Sequence, residues 1–269
     1  MTFPDFARTI GLNSPHFIND GRVHRCATVA HPRKRNGAYR WEHDWGWCQD
    51  WANHEAPVIW RDQGAVIAPL PRRHFVDVSE ERRAVQKAVE AADIVAKCEA
   101  GPHRYLARKG FPHAEALIDF DGRLVIPMRS CTAYSRIQSL QWINADGQKK
   151  FMTGGKARGG VFALGPVADE HWLVEGYATG LSVQAALAKL YRRARVVVCF
   201  SAGNLAHVAG RLNGRRFVVA DNDESGTGER VALSTRLPWV IPPTVGDDAN
   251  DFHQQEGVLA LAELLRGAL

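Results

Sequence analysis

The stretch Phe217-Val218-Val219-Ala220-Asp221-Asn222-Asp223-Glu224-Ser225-Gly226 decides the fold, because an apolar segment in it runs directly into a cluster of acids. The first four residues are typical of a buried strand, and the acids with the closing glycine are typical of a loop. His171–Val174 and Val196–Phe200 are two further apolar strands, and helical segments follow the three strands: Thr179–Leu190, Leu205–Leu212 and Gly228–Leu237. Strands that alternate with helices predict parallel βαβ units in one sheet with helices on both faces.

Acidic residues follow these strands at the edge where ligands bind in parallel α/β sheets. Two of them, Asp221 and Asp223, are two positions apart, so in an extended segment their side chains point the same way. The others follow the first strand or come after a short strand predicted at Trp239–Ile241: Glu175, Asp247, Asp248 and Asp251. The sequence therefore predicts several carboxylates at one rim of the sheet.

Carboxylates that gather at one rim repel one another unless a cation is bound between them. Mg²⁺ and Mn²⁺ are hard ions that prefer oxygen ligands, so the acids predict a divalent metal site. A single acid in a loop is usually a surface residue, but an apolar strand before Glu-Gly and another before Asp-x-Asp-x-x-Gly is a more specific pattern. Gly176 and Gly226 are expected to let the backbone approach a phosphate closely.

The charge of the chain is uneven, although the formal net charge is only +5. Residues 1–160 carry an excess of Lys and Arg, whereas residues 161–269 carry a slight excess of Asp and Glu. Basic surfaces attract polyanions such as nucleic acid. The best candidates are the cations that lie among glycines just before the first parallel strand: Lys149, Lys150, Lys156 and Arg158.

Four tryptophans between positions 41 and 51 have two interpretations. Next to Arg33-Lys34-Arg35 and Arg40, they are suited to stack on unpaired bases. They are equally suited to fill a small hydrophobic core, and this interpretation is favoured for at least two of Trp41, Trp45 and Trp47.

The composition excludes several classes of protein. No apolar run approaches the ~18 residues that span a bilayer, and residues 1–13 lack the pattern of a secretory signal. The five cysteines are scattered and odd in number, so they predict a reducing, cytoplasmic location rather than a disulfide framework.

Four motifs, in this order, resemble those of a Toprim domain of the type found in primases of phages, plasmids and conjugative elements, which are related to bacterial DnaG-type primases. They are Val174-Glu175-Gly176-Tyr177-Ala178-Thr179-Gly180, Phe200-Ser201-Ala202-Gly203-Asn204-Leu205, Asp221-Asn222-Asp223-Glu224-Ser225-Gly226 and Asp247-Asp248-Ala249-Asn250-Asp251. Upstream segments resemble the basic subdomain of the same proteins, among them Arg104-Tyr105-Leu106-Ala107-Arg108-Lys109-Gly110 and Lys149-Lys150-Phe151.

The resemblance, with the patterns above, implies an α/β protein whose C-terminal Toprim catalytic domain, residues 166–269, has a Rossmann-like parallel sheet. An α+β basic subdomain is expected at residues 76–165 and a small β-rich module at residues 21–75, in the position of a zinc ribbon, with a loosely ordered lead-in at residues 1–20. The β-rich module is expected to include a strand at Ala65–Ile67.

The same resemblance implies template-directed synthesis of short RNA primers from ribonucleoside triphosphates on single-stranded DNA by two-metal nucleotidyl transfer. Glu175, Asp221 and Asp223 are the implied catalytic residues, and together with Asp248 and Asp251 they are the implied ligands of Mg²⁺ or Mn²⁺. The implied nucleotide- and DNA-binding residues are Arg108, Lys109, Lys149, Lys150, Lys156, Arg158, Gly176 and Gly226.

Two departures from the pattern affect these expectations. Ser201 stands where related proteins often have Asp, and the chain lacks the Cys-x-x-Cys pairs of a zinc ribbon. His24, Cys26, His43 and Cys48 are spaced poorly for Zn²⁺, so the module is expected to lack zinc.

Two other functions remain compatible with the acids. One is a Toprim nuclease that hydrolyses phosphodiesters, and the other is a non-catalytic nucleic-acid-binding protein of a mobile element. The basic segment favours a primase over a nuclease. Because the chain has no Gly-x-x-x-x-Gly-Lys-Ser/Thr motif, the replicative helicase is expected to be a separate protein in the cytoplasm of a bacterial cell.

Overall fold

We describe the protein from a computed structural model, which covers residues 1–51, 53, 54, 57–62 and 78–269, with the side chains from residue 81 onward in the last range. The predicted strand at Ala65–Ile67 lies outside the described residues. The chain divides into two compact units, Met1–Phe75 and Val76–Leu269, and each has its own sheet.

The first unit is an antiparallel sheet in which each strand pairs with the next, in the order β1 to β5. A short helix precedes this sheet, with Pro4 in its first turn and Thr2 as its N-cap. The elements are α1 (Phe3–Thr9), β1 (Leu12–Asn13), β2 (Val23–Thr28), β3 (Gly37–Glu42), β4 (Trp45–Asp50) and β5 (Val58–Arg61).

An aromatic cluster forms the core of the first unit. Phe3 of α1 is completely buried, stacks on Trp41 at 5.1 Å between ring centroids and meets Trp60 edge-on at 5.5 Å. The expectation of a loosely ordered lead-in is therefore wrong for this segment, because α1 supplies the central ring of the core. Phe3 also explains Gly46, where a Cβ atom would lie 2.4 Å from the phenylalanine ring.

At least two of Trp41, Trp45 and Trp47 are expected to fill a core, but of these three only Trp41 belongs to a hydrophobic cluster of the described residues. Trp41 packs into the aromatic core. Trp45 and Trp47 are half-buried, because strand alternation places them on the face of β4 opposite to that of the buried Cys48. Trp51 is 45% exposed, and the Arg25 guanidinium lies 3.6 Å from its ring centroid. Strand alternation thus decides which rings are structural.

The second unit begins with a helix and a mostly antiparallel region. Two of its hairpin turns, at Asp121-Gly122 and Asp146-Gly147, contain a glycine with positive φ. The elements are α2 (Val78–Ala96), β6 (Glu99–Pro102), α3 (Arg104–Arg108), β7 (Glu115–Ile118), β8 (Leu124–Ser130), β9 (Ala133–Ile143), β10 (Lys149–Phe151) and β11 (Gly160–Leu164).

The rest of the second unit alternates strands and helices, as the sequence predicts. One helix was not predicted, and it begins at Ala249 with Asp248 as its N-cap. The elements are β12 (Glu170–Val174), α4 (Tyr177–Lys189), β13 (Arg195–Val198), α5 (Ala202–Ala209), β14 (Arg215–Val219), α6 (Thr227–Thr235), β15 (Trp239–Val240), α7 (Ala249–Glu256) and α8 (Val258–Arg266).

All strands of the second unit belong to one sheet, in the order β10-β9-β8-β11-β13-β12-β14-β15, with β7 beside β8 and β6 beside β7. The strands from β13 to β15 are parallel, and β11 joins them to the antiparallel region by pairing antiparallel with β13. The position between residues 165 and 166, where a domain boundary is expected, therefore falls between two strands of one sheet.

β8 does not pair regularly with β9 along its whole length. Its pairing with β9 shifts register between Met128 and Arg129 and again before Ser130, which is typical of β-bulges. β10 pairs with the last residues of β9, which lie opposite the first part of β8. β11 instead pairs with the last two residues of β8. Because bulges bend strands, we expect this hairpin to be bent between the part that pairs with β10 and the part that pairs with β11.

Helices cover both faces of the parallel strands. Trp172 is completely buried on one face and stacks on Phe217 of the neighbouring strand at 4.6 Å. Leu173 and Val218 belong to a second cluster on the other face, together with Leu205 of α5. No helix in the described ranges has the length and apolar character needed to cross a membrane.

A buried acid holds the start of β12. The Glu170 carboxylate accepts hydrogen bonds from Arg192 Nε and Trp172 Nε1, both at 2.8 Å, and pairs with a second nitrogen of Arg192. The Arg192 guanidinium holds the pKa of Glu170 below its usual range, against the opposing effect of burial.

We expect Glu170→Gln to lower the free energy of unfolding by about 2 kcal/mol at pH 7, since charged hydrogen bonds are worth roughly 1.5–3 kcal/mol. A carboxyl group with a lowered pKa stabilises the fold above its unfolded pKa, and this contribution is lost as the pH falls through the folded pKa. Urea unfolding should therefore show the two proteins converging as the pH falls from 7 towards 3. Glu263→Gln, which removes an exposed ion pair with Arg266, is the control and should have no measurable effect.

Candidate functional site

The carboxyl ends of the parallel strands form the base of the candidate site. Glu175 directly follows β12, and its carbonyl oxygen accepts a hydrogen bond from Phe200 N, after β13, at 2.8 Å. Asp221 comes shortly after β14. This strand pairs with β12 in a register that places Phe217 opposite Trp172. The backbone hydrogen bonds of the sheet thus bring Glu175 and Asp221 to one edge.

A small cavity of about 100 Å³ opens at this edge. Three predicted acids, one predicted cation and one predicted glycine line it, together with two residues that were not predicted as site residues. The lining residues are Gln141, Lys149, Glu175, Gly176, Phe200, Asp221 and Asp248. We call this space the acid cavity.

Asp221 has the most unusual electrostatic environment in the acid cavity. Burial, and then the negative charges of Glu175 and Asp248, raise its pKa to about 8. Its Oδ1 atom is buried and has no hydrogen-bond partner in the part of the chain that the structure describes. Such an oxygen is destabilising unless a proton or a cation satisfies it.

Glu175 has a milder form of the same environment. Burial raises its pKa, the N–H of Ala202 at the start of α5 donates a hydrogen bond that opposes this shift, and the charge of Asp223 adds to it. The Lys149 ammonium lowers the pKa of both Glu175 and Asp221. Lys149 is therefore the cation that partly compensates the buried carboxylates.

Asp223 is placed differently from Asp221, although the two are neighbours in the motif. Its Oδ2 accepts from Gly228 N at 2.7 Å and its Oδ1 accepts from Thr227 N at 3.0 Å, so it caps the N-terminus of α6. The Ser225 hydroxyl also donates to it, and these hydrogen bonds hold the pKa of Asp223 well below its usual range. Asp223 does not line the acid cavity.

Asp248 and Asp251 form a capping box at the start of α7. Asp248 Oδ1 accepts from the backbone N–H groups of Asn250 and Asp251, and Asp248 also faces the acid cavity. Asp251 instead turns towards α3, where its Oδ1 lies 2.9 Å from Lys109 Nζ. Of this pair, only Asp248 joins Glu175 and Asp221.

A larger cavity of about 420 Å³ adjoins the acid cavity, and the two share Lys149, Gly176 and Asp248. We call it the basic cavity, because three predicted cations line it: Arg108, Lys109 and Lys149. Tyr105 lines it as well, and its ring lies close to Gly147 at the β9–β10 turn. The space and charge of this cavity are suited to a phosphorylated ligand.

The remaining predicted binding residues lie outside both cavities. Lys150 is exposed on β10, and Lys156 and Arg158 are exposed in the loop before β11. Arg158 contacts His207 of α5 through a hydrogen bond of 3.1 Å.

The two predicted glycines have different roles. Gly176 lines both cavities, and a Cβ atom there would lie 3.0 Å from Thr179 Oγ1 and 3.8 Å from Lys149 Nζ. Gly226 has a φ of +64° and closes the turn that begins with Asp223, to whose carbonyl oxygen it donates a 2.9 Å hydrogen bond. Only Gly176 is placed to let a ligand approach the backbone.

The donor set fits a divalent cation, although the side chains are not arranged as a complete coordination shell. Among the described residues, no group of three or more His, Cys, Asp or Glu side chains stands in a metal-binding arrangement. Yet Glu175, Asp221 and Asp248 share one cavity, and Asp221 presents a buried oxygen without a partner. Hard oxygen donors of this kind suit Mg²⁺ or Mn²⁺.

Phe200 was not predicted as a site residue, although the sequence placed it at a strand end. It lines the acid cavity with a φ of +69°, a conformation that is rare for bulky residues and concentrates at functional sites. Ser201, in the position that often carries Asp, caps α5 by accepting from Asn204 N. No sequence signal distinguishes Phe200 from an ordinary apolar residue.

The four His and Cys residues considered for zinc lie in different environments in the first unit. Cys26 and Cys48 are buried in the aromatic core, where burial raises the pKa of both thiols. His24 stacks on Tyr39 and binds Asp20 at 2.8 Å, while His43 is exposed with a φ of +52°.

Residues 171–258, about a third of the chain, match the Toprim domain family. The C-terminal part of the second unit is a Toprim domain. The match spans β12 to the start of α8 and includes each residue discussed above at the carboxyl ends of the parallel strands.

Two solved structures show lower similarity. One is the structure of bacteriophage T7 lagging-strand DNA polymerase interacting with primase domains of two gp4 subunits bound to an RNA/DNA hybrid and dTTP. It matches at 15% identity with a TM-score of 0.40, over 61% of this chain and 83% of that chain. The other, the DnaG catalytic core, matches at 15% identity with a TM-score of 0.38, over 74% and 73% of the two chains.

The two aspartates of the Asp-x-Asp motif should respond to neutralisation in opposite ways. With EDTA at pH 7.5, we expect Asp221→Asn to raise the melting temperature, because the wild-type carboxyl must take up a proton on folding or bury a charge beside Glu175 and Asp248, whereas the amide does neither. Relief of about 1 kcal/mol corresponds to about 2–4 °C. Asp223→Asn should lower the melting temperature, because its carboxylate caps α6. A shift of both variants in the same direction would contradict these environments.

The pH dependence tests the same environment. A carboxyl group with a raised pKa binds its proton more tightly in the folded state, so the stability it contributes is lost as the pH rises. In EDTA, the melting temperature of the wild type should fall between about pH 4 and pH 8 more steeply than that of Asp221→Asn. Mg²⁺ should raise the melting temperature of the wild type and have little effect on Asp221→Asn. Equal responses of the two proteins would exclude Asp221 as a ligand.

Proposed function

We propose that the protein is a primase, which synthesises short RNA primers on single-stranded DNA. The observation that carries this proposal is the acid cavity itself: within a Toprim domain, Glu175, Asp221 and Asp248 meet beside Lys149 and open into the basic cavity. Carboxylates next to cations, with room for a phosphorylated ligand, are suited to nucleotidyl transfer.

Glu175, Asp221 and Asp248 would hold Mg²⁺ or Mn²⁺, with Asp223 close enough to influence Glu175 electrostatically. When bound, the metal supplies charge neutralisation for the phosphates and activates a 3′-hydroxyl. In the absence of that charge, the raised pKa of Asp221 keeps a proton on the site near neutral pH. Cation binding therefore displaces a proton from Asp221 and links affinity to pH.

The basic cavity supplies the complementary charge. Lys149 faces both cavities, so its ammonium group is placed to contact phosphate oxygens while it compensates the carboxylates. Arg108 lines the same space, whereas Lys109 is held by Asp251. We assign Arg108 and Lys149 to the triphosphate and the exposed Lys150, Lys156 and Arg158 to the DNA backbone.

The purified protein should make oligoribonucleotides from ribonucleoside triphosphates on single-stranded DNA in the presence of Mg²⁺ or Mn²⁺. Glu175→Gln and Asp221→Asn should each reduce synthesis by roughly 100-fold or more, because each removes an anionic oxygen ligand of the cation that would neutralise the reacting phosphates. Glu263→Gln on α8 is the control and should retain activity, since its carboxylate pairs at the surface with Arg266. Gel analysis of labelled products measures the result.

The nuclease alternative makes a different prediction in the same assay. If the acids activate water, the template is cleaved and no primer appears, and the same two variants abolish cleavage. If neither product forms although Mg²⁺ raises the melting temperature, the protein binds metal without this chemistry and the primase proposal is wrong.

DNA binding should depend on the exposed lysines. Affinity for single-stranded DNA should fall with salt, and Lys150→Ala with Lys156→Ala should flatten the plot of log affinity against log salt concentration by about 1.4, or about 0.7 for each phosphate that is no longer neutralised. Lys189→Ala, at the exposed end of α4, is the matched control. An unchanged slope in the double variant would remove this segment from the DNA-binding surface.

We further propose that the protein acts in the cytoplasm of a bacterial cell, as a primase of the phage or plasmid type, with a separate helicase. The four motifs that resemble those of phage and plasmid primases support this type, and the scattered cysteines support a reducing compartment; residues 1–269 themselves supply no Gly-x-x-x-x-Gly-Lys-Ser/Thr motif for a helicase motor.

A further inference from the structure

A group of positively charged side chains surrounds one histidine in the second unit, away from the carboxylates. We call Lys156, Arg158, His207 and Arg211 the His207 cluster. Lys156 and Arg158 come from the loop before β11, His207 is in the last turn of α5, and Arg211 follows that helix. No sequence pattern indicates a role for His207 or Arg211.

Two guanidinium groups converge on the same imidazole nitrogen. Arg158 Nε and Arg211 Nη1 each lie 3.1 Å from His207 Nδ1, and Arg211 Nη1 also donates to the His207 carbonyl oxygen at 3.2 Å. Because arginine is always a donor, Nδ1 must carry the lone pair, and the ring is held neutral. Their shared contact with His207 thus holds the Arg158 and Arg211 guanidinium groups close together.

The loop that carries Lys156 and Arg158 is itself held in place. Gln138 Nε2 donates to the carbonyl oxygens of Lys156 and Arg158, at 2.8 and 3.0 Å. Asn204 of α5 accepts from Gly159 N at 2.7 Å and donates to Gly160 O at 2.8 Å. The cations are therefore mounted on an ordered backbone, which lowers the entropic cost of binding an anion.

No carboxylate balances this charge among the residues that the structure describes. None of the ion pairs formed there includes Lys156, Arg158 or Arg211. Partial burial and then the charges of Arg211, Arg158 and Lys156 lower the pKa of His207. The buried thiol of Cys131 is the other titratable group nearby, since its Sγ and His207 Nε2 both lie 3.7 Å from the position of a Cβ on Gly159.

We propose that the His207 cluster is a phosphate-binding site that receives the backbone of a single-stranded polynucleotide. A phosphodiester placed between the two guanidinium groups would accept hydrogen bonds from both and neutralise charge that is otherwise unbalanced. The identification of the strand as template DNA rests on the proposed function, whereas the affinity for phosphate does not.

A polynucleotide fits the placement better than a free nucleotide. None of the four residues lines the acid cavity or the basic cavity, where a nucleotide would meet the carboxylates. Lys156 and Arg158 instead belong to the same short segment of chain as Lys149 and Lys150, and they contact α5 through His207. We therefore expect an extended strand that passes these lysines to reach the cluster. The cluster would then hold a phosphate remote from the reacting one.

The first test measures binding of the full chain to single-stranded DNA by fluorescence anisotropy over a range of salt concentrations. We expect Arg211→Gln to weaken binding roughly threefold to tenfold near 0.1 M salt and to reduce the salt slope by about 0.7, as expected when one phosphate fewer is bound on a single strand. Arg193→Gln is the matched control, because Arg193 is equally exposed but lies outside the cluster. If Arg211→Gln and Arg193→Gln bind with the same slope as the wild type, the proposal is wrong.

The second test follows the imidazole of His207 by NMR, with His207→Gln used to assign its signal. A bound phosphate should raise the pKa of His207, because it offsets the charges of Lys156, Arg158 and Arg211. Single-stranded DNA, a ribonucleoside triphosphate and inorganic phosphate are titrated separately. A rise with DNA at near-stoichiometric concentration supports the proposal, whereas a rise only with the triphosphate or inorganic phosphate, or with none of the three, overturns it.

The two proposals fail in distinguishable ways. A protein that makes no primers but shows the DNA-dependent rise at His207 retains the polynucleotide site and loses the primase assignment. A protein that makes primers while Arg211→Gln leaves the salt slope unchanged retains the assignment and loses this site.

Discussion

The burial of the Asp221 carboxylate at the end of a central parallel strand is the constraint on which the rest of this structure depends. β14 is hydrogen-bonded on both sides, to β12 and β15, so the position of Asp221 is fixed by the backbone. The carboxylate loses hydration there and faces Glu175 and Asp248. An unpaired buried acid is costly, and it persists only where the surrounding sheet outweighs that cost. In a Toprim domain, this arrangement is understandable as a site prepared for a cation.

Lys149 compensates part of this cost, and its position shows how the two halves of the second unit cooperate. β10 and β12 are five strand spacings apart in the order of the sheet, which would amount to roughly 24 Å in a flat sheet. Lys149 nevertheless lines the same cavity as Glu175. The register shifts in β8 lie between β10 and the parallel strands in the order of the sheet, and a bend at these bulges would shorten that separation.

The two aspartates of the Asp-x-Asp motif have different environments and different roles. Asp221 carries the unsatisfied charge, while Asp223 accepts hydrogen bonds from the first turn of α6 and keeps that helix against the strand end. Asp248 and Asp251 divide in the same way, since one faces the cavity and the other binds Lys109. The basic residues also divide, into a group that lines the cavities and the exposed cluster around His207. Charge at this end of the molecule is thus arranged in separate places with separate partners.

The sequence by itself determined the alternation of strands and helices from residue 170 onward, because apolar strands, helical spacing and acidic loops are local patterns. It also indicated Glu175, Asp221 and Asp248 as acids at or after strand ends and Lys149 as a cation among glycines before the first parallel strand, and these four residues line one cavity. Only the tertiary structure decided that β11 joins both regions in one sheet, that Phe3 completes an aromatic core, and that Asp223 turns to α6 while Asp221 stays buried. These outcomes depend on contacts between residues far apart in the chain or on the choice among hydrogen-bond partners, and a local pattern carries no information about either.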